Sequence, residues 1–183
     1  MKRKFFLVIL FAAILFSRNG LAQQPDIATE IASDPVRINF PITGSILQFL
    51  YVRRNADTDP SIDVYSISPK GNALTAEYVA EIGPQGGPPN IQSVFLKDVD
   101  KNGSQELLLL VSWEIRHPGL STSGNYYRTY VYANRPAAEG RGFLRLTDIE
   151  KKIGSGLDGT LEGKKVTFPY KDARSIRTLL DQK

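Results

Sequence analysis

The chain has 183 residues, of which 42% are hydrophobic, with 23 Lys and Arg against 19 Asp and Glu. This length suits one domain with a sizeable core. The chain contains no cysteine, which excludes disulfide bonds, thiol catalysis, zinc–thiolate sites and cysteine-held iron–sulfur clusters.

The first 22 residues have the three-part pattern of a secretory signal peptide. Basic residues at Lys2, Arg3 and Lys4 precede an apolar run of 12 residues at 5–16, and Gly20 and Ala22 place small residues at a cleavage site. The apolar run is shorter than the ~20 residues that a membrane-spanning helix needs. We therefore expect cleavage after Ala22, with an uncleaved membrane anchor as the alternative.

Removal of residues 1–22 changes the charge of the chain. The segment carries four basic residues and no acid, so 19 basic and 19 acidic residues remain. A neutral mature chain gives no support for a nucleic acid as partner, and without the apolar run we expect no stable membrane insertion. Because disulfides are lacking, the bacterial periplasm is the best match, so the expected location is periplasmic or secreted.

After the signal we expect a flexible leader at 23–35 and then a single β-rich domain at 36–183. Apolar residues that alternate with polar ones predict strands. The predicted strands cover residues 36–40, 46–52, 62–67, 74–82, 91–96, 107–113, 126–133, 143–146 and 166–170. Residues 76–80 are also compatible with a helix. Turn-forming residues predict loops at 83–90 and 117–125, and the stretch 154–165 is rich in glycine.

Residues 107–113 form a nearly continuous apolar run, which predicts a strand in the middle of the sheet with both faces covered. A short helix that ends at Ile153 can be capped by Thr147 or Asp148. The predicted fold class is mainly β, an antiparallel sheet arranged as a sandwich or as propeller-like hairpins, with a C-terminal α-helix.

The C-terminal helix is predicted over residues 172–180. Ala173, Ile176 and Leu180 share one helical face there. An apolar face of this kind packs against a core, so we expect this helix to lie on the sheet.

The segment 98–107 carries oxygen ligands at the spacing of a calcium loop. Its positions 1, 3, 5 and 9 are Asp98, Asp100, Asn102 and Glu106, and Ser104 at position 7 can offer its backbone carbonyl. Ca²⁺ takes about six to eight oxygens at roughly 2.3–2.6 Å. The segment is not an EF-hand, because position 12 is Leu109 instead of a bidentate Glu. The alternative is an Asn-Gly hairpin turn whose acids serve solubility.

Flanked by predicted strands, the pattern Asp-x-Asp-x-Asn-Gly-x-x-Glu-Leu at 98–107 resembles the calcium loops of FG-GAP and VCBS-type repeats. Such repeats occur in integrin-like β-propellers and in many exported bacterial proteins. The resemblance implies that Asp98, Asp100, Asn102 and Glu106 are ligands of Ca²⁺. A propeller would repeat the loop, so the resemblance covers this loop and not a propeller. With no bidentate closing ligand, we expect weak binding of a structural ion, at ~10⁻⁴–10⁻³ M.

Three other motifs give weaker predictions, and no catalytic or cofactor-binding set is identified. Residues 154–159 match G-x-G-x-x-G but follow no long strand, so a loop is predicted. Residues 119–124 miss the G-x-S-x-G pattern by one residue. His117 is the one histidine of the chain, and we expect it on the surface.

Tyr126, Arg128, Tyr130 and Tyr132 alternate onto one face of a predicted strand. This face is either a binding platform, since Tyr and Arg are enriched at interaction hot spots, or a set of rings that packs under the C-terminal helix. We favour packing under the helix.

These observations predict an exported, non-enzymatic binding module stabilised by Ca²⁺, whose partner is a protein or an envelope component. By analogy at the level of class, such a module can be an inhibitor or immunity protein. The alternative is a periplasmic hydrolase that acts on glycan or peptidoglycan through carboxylates such as Glu114 and Asp158.

Overall fold

The structure, a computed structural model, describes residues 28–139 and 141–182. The predicted signal peptide lies outside these residues. Within them lie ten strands: β1 (Ala28–Ile38), β2 (Ser45–Arg53), β3 (Ser61–Lys70), β4 (Ala73–Ile82), β5 (Pro89–Lys97), β6 (Glu106–His117), β7 (Thr122–Pro136), β8 (Phe143–Arg145), β9 (Ser155–Leu161) and β10 (Lys164–Val166). The helices are α1 (Thr147–Ile153) and α2 (Ala173–Asp181), with a 3₁₀ turn at Pro118–Leu120. Neither helix is long and apolar enough to cross a membrane.

The strands form two sheets that pack against each other. The first sheet has the order β1-β2-β3-β4, and the second has the order β10-β9-β7-β6-β5, with β8 paired to the far end of β7. Every pair of neighbouring strands is antiparallel. The predicted fold class, mainly β with a C-terminal α-helix, is confirmed.

The main core lies between the two sheets. It contains alternate residues of β2, β3 and β6, all of them buried: Leu47, Phe49, Ile62, Val64, Leu107, Leu109, Val111 and Trp113. Burying each of these side chains contributes roughly 1.5–3 kcal/mol. The indole N–H of Trp113 donates to the carbonyl of Gly83 at 3.1 Å, so its polar group is satisfied.

A second core lies on the opposite face of the larger sheet, under the two helices. Leu108 and Leu110 of β6 pack there with Ile153 of α1 and with Ile176 and Leu180 of α2. Strand β6 is therefore covered on both faces, as its continuous apolar run predicted. The apolar face predicted for the C-terminal helix is also confirmed. The Asp172 carboxylate caps α2, because it accepts from the backbone N–H of Ser175 at 2.8 Å.

Strand β1 begins at Ala28, so residues 28–35 are strand, whereas the sequence predicted a flexible leader up to residue 35. Two register shifts, between Ile31 and Ser33 and between Ser33 and Val36, interrupt its pairing with β2. Such bulges break the period of two by which a strand is recognised. Pro35 is tolerated because β1 is an edge strand.

Strands β7 and β9 cover stretches that were predicted as loops, at 122–125 and 155–159. Gly124 and Gly159 are direct partners across these two strands. A Cβ added to Gly159 would lie 2.2 Å from the carbonyl oxygen of Ser123 and 2.7 Å from the Cα of Gly124. The glycines therefore permit a close approach of two backbones, and they do not mark a loop. Strand β10 covers Lys164–Val166, so it overlaps the predicted strand over 166–170 only at Val166.

Helix α1 has the predicted end at Ile153, but neither Thr147 nor Asp148 caps it. The N-cap residue is Leu146, which provides no side-chain hydrogen bond. The N–H of Leu146 donates to the carbonyl of Val131 at 2.8 Å, and its own carbonyl accepts from the N–H of Glu150. The start of α1 is thus fixed by strand β7 and not by a polar cap.

Tyr126, Tyr130 and Tyr132 of β7 lie on the face opposite to the one predicted. Tyr130 and Tyr132 are buried in the core between the two sheets. Tyr127 and Val131, from the alternate face, contact the core under the helices. The prediction that this face is buried is confirmed for Tyr130 and Tyr132, but the prediction that it packs under the C-terminal helix is wrong.

Candidate metal centre

The predicted calcium loop connects β5 to β6. Lys97 pairs with Glu106 at the base of this hairpin, and residues 98–105 form its loop. Lys101 has φ 59° and Gly103 has φ 85°. The left-handed conformation costs a residue with a side chain about 1–2 kcal/mol, so other interactions of the loop must offset the strain at Lys101.

Hydrogen bonds to two carboxylates supply that compensation. The Asp98 carboxylate accepts from the backbone N–H groups of Asn102 at 3.1 Å and Gly103 at 3.0 Å. The Asp100 carboxylate also accepts from the N–H of Asn102, at 3.2 Å. These bonds fold the tip of the loop back over its first residue.

Three carboxylates meet inside the folded loop. One carboxylate oxygen from each of Asp98, Asp100 and Glu106 lies within 4.8 Å of the other two. Across residues 28–139 and 141–182, none of the three has a Lys or Arg nitrogen within 4.0 Å. Two like charges 4 Å apart repel by about 1 kcal/mol in water and about 4 kcal/mol at an effective dielectric constant of 20. The loop therefore concentrates negative charge that a cation can neutralise.

Glu106 differs from the other two acids because it is buried, with only 1% of its surface exposed. Its Oε2 accepts from the backbone N–H of Val99 at 2.8 Å. Burial raises the pKa of Glu106 above its usual range, the hydrogen bond from Val99 opposes this shift, and the charges of Asp100 and Asp98 add to it. A cation between the three groups would favour the charged form of Glu106.

Asn102, a further predicted ligand, lies beside Asp100 in the same loop. The side-chain oxygen of Asn102 accepts from the backbone N–H of Ser104 at 2.7 Å, and its Nδ2 donates to Asp100 Oδ2 at 2.8 Å. The amide of Asn102 is thus engaged within the loop. Ser104 contributes its backbone N–H to this turn.

The donor set fits a hard cation. Asp98, Asp100 and Glu106 offer only oxygen, the ligand that Ca²⁺ and Mg²⁺ prefer. The chain has no cysteine and a single histidine, and that residue, His117, lies at the far end of β6. Asp98, Asp100 and Glu106 would hold the ion, and Ca²⁺ suits them better than Mg²⁺ because it accepts irregular geometry.

The two acids considered for hydrolysis lie on one face of the larger sheet. Glu114 pairs with Asn125, and Asn125 pairs with Asp158 on the next strand, so one strand separates the two acids. Each acid already has a cationic partner. Arg116 donates to Glu114 at 2.6 Å, and Lys171 donates to Asp158 at 2.7 Å.

One charged cluster was not predicted from the sequence. Buried Glu150 of α1 accepts two hydrogen bonds from Arg145, at 2.6 and 2.5 Å, and Arg128 of β7 lies 3.6 Å away. The hydrogen bonds that Arg145 donates to the Glu150 carboxylate raise the pKa of Arg145. No sequence spacing links these three residues, because the fold of α1 against β7 brings them together.

Comparison of the chain with protein-family models, with curated proteins and with solved structures finds no match.

Proposed function

We propose that the chain is an exported, non-enzymatic binding module whose β5–β6 hairpin is stabilised by one weakly bound Ca²⁺. The observation that supports this proposal is the meeting of Asp98, Asp100 and Glu106 without a basic partner among the described residues. The ion would join the end of β5 to the start of β6, the strand that both cores share. Its role is structural, in line with the resemblance of the loop to FG-GAP and VCBS-type calcium loops.

Export is proposed from residues 1–22, whose basic, apolar and small-residue regions have the order of a secretory signal. Expression of the full chain in a bacterial host, followed by osmotic-shock fractionation and N-terminal sequencing, tests it. We expect the protein in the periplasmic fraction with Gln23 as its first residue. Retention in the membrane with an intact N-terminus would contradict the proposal and favour the membrane anchor.

A binding role is favoured over hydrolysis because each of the two acids considered for catalysis forms an ion pair with a basic side chain. Glu114 is exposed and paired with Arg116, and Asp158 is paired with Lys171. A general acid or base needs a carboxylate free to exchange a proton with the substrate. The proposed partner is a protein or an envelope component, and by analogy at the level of class an inhibitor or immunity protein is one form that this role can take.

The calcium site is tested by thermal and urea unfolding with and without Ca²⁺. With a dissociation constant of ~10⁻⁴–10⁻³ M, about 10 mM Ca²⁺ stabilises the fold by roughly 1.4–2.7 kcal/mol. We expect Glu106→Gln to abolish this gain, because it removes a charge from the cluster and keeps the side-chain shape. Glu77→Gln is the matched control, since Glu77 is exposed on β4. An equal gain in wild type and Glu106→Gln, or no gain in either, would refute the site.

The partner is tested by immobilising the exported protein and exposing it to envelope extract, once with Ca²⁺ and once with EGTA. A stoichiometric partner that is retained with Ca²⁺ and lost with EGTA supports both the binding role and the ion. A partner that is indifferent to EGTA supports the binding role and separates it from the ion. Recovery of no partner in either condition counts against the binding role and favours the hydrolase alternative.

A further inference from the structure

A cavity of about 350 Å³ lies between strand β7 and helix α1, on the opposite side of β7 from strand β6. Its lining includes Arg128, Arg145, Thr147, Glu150, Lys151 and Ser155. The volume falls at the lower end of the range of roughly 300–1,000 Å³ that small-molecule sites occupy. None of these residues belongs to the calcium loop.

The cavity has an excess of positive charge. Arg128, Arg145 and Lys151 line it together with the carboxylate of Glu150, and Lys151 pairs with the exposed Asp148 at 3.1 Å, so the excess charge is that of one arginine. Both oxygens of Glu150 are taken up by Arg145, at 2.6 and 2.5 Å, and one of them also accepts from the backbone N–H of Val131 at 3.2 Å. Glu150 therefore neutralises Arg145 and leaves little capacity for a second guanidinium.

Arg128 is that second guanidinium. It lies 3.6 Å from Glu150 Oε2, and within the described part of the chain its side chain donates no hydrogen bond. Its side chain is 37% exposed. A half-buried arginine with unused N–H groups is suited to an oxyanion, because its planar fork matches two oxygens of a carboxylate or phosphate.

Arg128 is also held in position. Its guanidinium lies 5.2 Å from the ring centre of Tyr130, and Arg145 lies 4.6 Å from the same ring. Tyr130 is itself buried in the core between the sheets. Contacts of a cation with a ring face restrict the side chain at little cost in solvation, so Arg128 would lose little freedom when it binds a ligand.

Hydroxyl groups complete the lining. Thr147 and Ser155 contribute theirs, and Ser155 Oγ lies 2.7 Å from the hydroxyl of Tyr126. Ser155 is also the direct partner of Arg128 across β7 and β9. Hydroxyls beside a guanidinium can exchange hydrogen bonds with the hydroxyls of a ligand while the guanidinium binds its charge.

We infer that the cavity between β7 and α1 binds an anionic sugar, with its carboxylate or phosphate group on Arg128 and its hydroxyls on Thr147 and Ser155. This inference goes beyond the proposed function, because it assigns a ligand chemistry to a different part of the chain. It requires no metal ion, so its success or failure is independent of the calcium loop.

Isothermal titration calorimetry of the exported protein, in EGTA and at physiological salt, tests the inference. The probes are glucuronic acid for a carboxylate, glucose 6-phosphate for a phosphate, and glucose as the neutral control. We expect saturable binding of at least one anionic sugar and at least tenfold weaker binding of glucose. The stronger of the two anions identifies the source of the oxyanion. Absence of saturable binding of both anions would overturn the inference.

Variants show whether the binding belongs to this cavity. Arg128→Gln should weaken binding at least tenfold, and Arg128→Lys should restore part of the loss. Lys152→Gln is the control, since Lys152 is an exposed basic residue of α1 outside the lining. An equal loss in Arg128→Gln and Lys152→Gln would overturn the inference, because it would mean attraction to general surface charge. Should Arg128→Gln fail to fold, Ser155→Ala provides the same comparison, with an expected loss of severalfold and with no change counting against the site.

Discussion

Glu150 accepts a hydrogen bond from a backbone N–H of β7 at a point where no neighbouring strand can do so. Strand β7 pairs with β9 through Arg128 and with β8 from Tyr132 onward, so Val131 lies in a gap between the two neighbours. Glu150 accepts from the N–H of Val131, and the N–H of Leu146 donates to the carbonyl of Val131. A buried strand segment thereby has both of its backbone groups paired, as burial requires.

We expect Glu150→Ala to lower the free energy of unfolding by about 2–3 kcal/mol, because it leaves the buried N–H of Val131 without an acceptor and Arg145, which is 36% exposed, without its partner. Asp148→Ala is the control, because Asp148 is exposed and pairs with an exposed lysine, and it should cost less than about 1 kcal/mol. Urea unfolding measures both, and similar values for the two variants would contradict the role given to Glu150.

Asp172 gives a prediction about pH. The hydrogen bond from the Ser175 N–H lowers the pKa of Asp172. A carboxylate whose pKa is lower in the folded state stabilises the fold above its unfolded pKa, about 3.9, and this contribution is lost as the pH falls through the folded pKa. We expect Asp172→Ala to cost about 1 kcal/mol at neutral pH, and the cost should shrink as the pH is lowered below about 4.

Urea unfolding of wild type and Asp172→Ala at a series of pH values checks this prediction. Asp172→Asn is the matched control, because asparagine also caps helices but does not titrate. Its difference from Asp172→Ala should not change with pH. A cost of Asp172→Ala that stays constant down to pH 3 would contradict the capping role.

Among the elements, β7 and β9 depend on two facing glycines. A Cβ on Gly159 would approach the carbonyl oxygen of Ser123 to 2.2 Å, well inside contact distance. We expect Gly159→Ala to separate the two strands locally and to lower the free energy of unfolding by about 2 kcal/mol or more. Gly119→Ala, where a Cβ meets nothing within 4 Å, should change it by less than about 0.5 kcal/mol. Equal effects in thermal unfolding would show that the strands tolerate the added methyl group.

Elements whose pattern is local were predicted, and those that depend on a neighbouring strand were not. Strand β6 has a continuous apolar run and helix α2 has apolar residues at helical spacing, so the sequence alone predicts that β6 is covered on both faces and that α2 is buried on one. Strand β1 has a period broken by bulges, and β9 has glycines that a close backbone approach requires. In both cases the deciding information lies in another strand, which no single segment of sequence contains.

The calcium loop and the cavity between β7 and α1 differ in the same way, because only the residues of the loop are close in sequence. The carboxylates of the calcium loop lie within nine residues of each other, so their spacing predicts that Asp98, Asp100 and Glu106 converge. The hydrogen bonds that engage Asn102 within the loop depend on backbone conformation, which the spacing does not specify. Arg128, Arg145 and Glu150 come from β7, β8 and α1, and only the packing of those elements creates their cavity.

At the scale of the whole molecule, the two sheets share one core. Residues of β2 and β3 from one sheet pack with residues of β6 and β7 from the other. The helices cover the outer face of the larger sheet, so β6 belongs to both cores. Neither sheet can bury its inner face without the other, and cooperative unfolding of the described domain follows from this dependence.

Trp113 allows this cooperativity to be measured. It is the single tryptophan of the chain, it is fully buried between the sheets, and its emission will shift to the red when water reaches it. We expect urea unfolding followed by Trp113 fluorescence and by far-ultraviolet circular dichroism to give coincident single transitions, because separating the sheets removes the core of both. If fluorescence changes at lower urea than the dichroism, the sheets separate before their strands unfold, and the shared core is not what holds the smaller sheet together. Addition of Ca²⁺ should move both transitions by the same amount, since an ion that joins β5 to β6 stabilises the whole unit and not one hairpin.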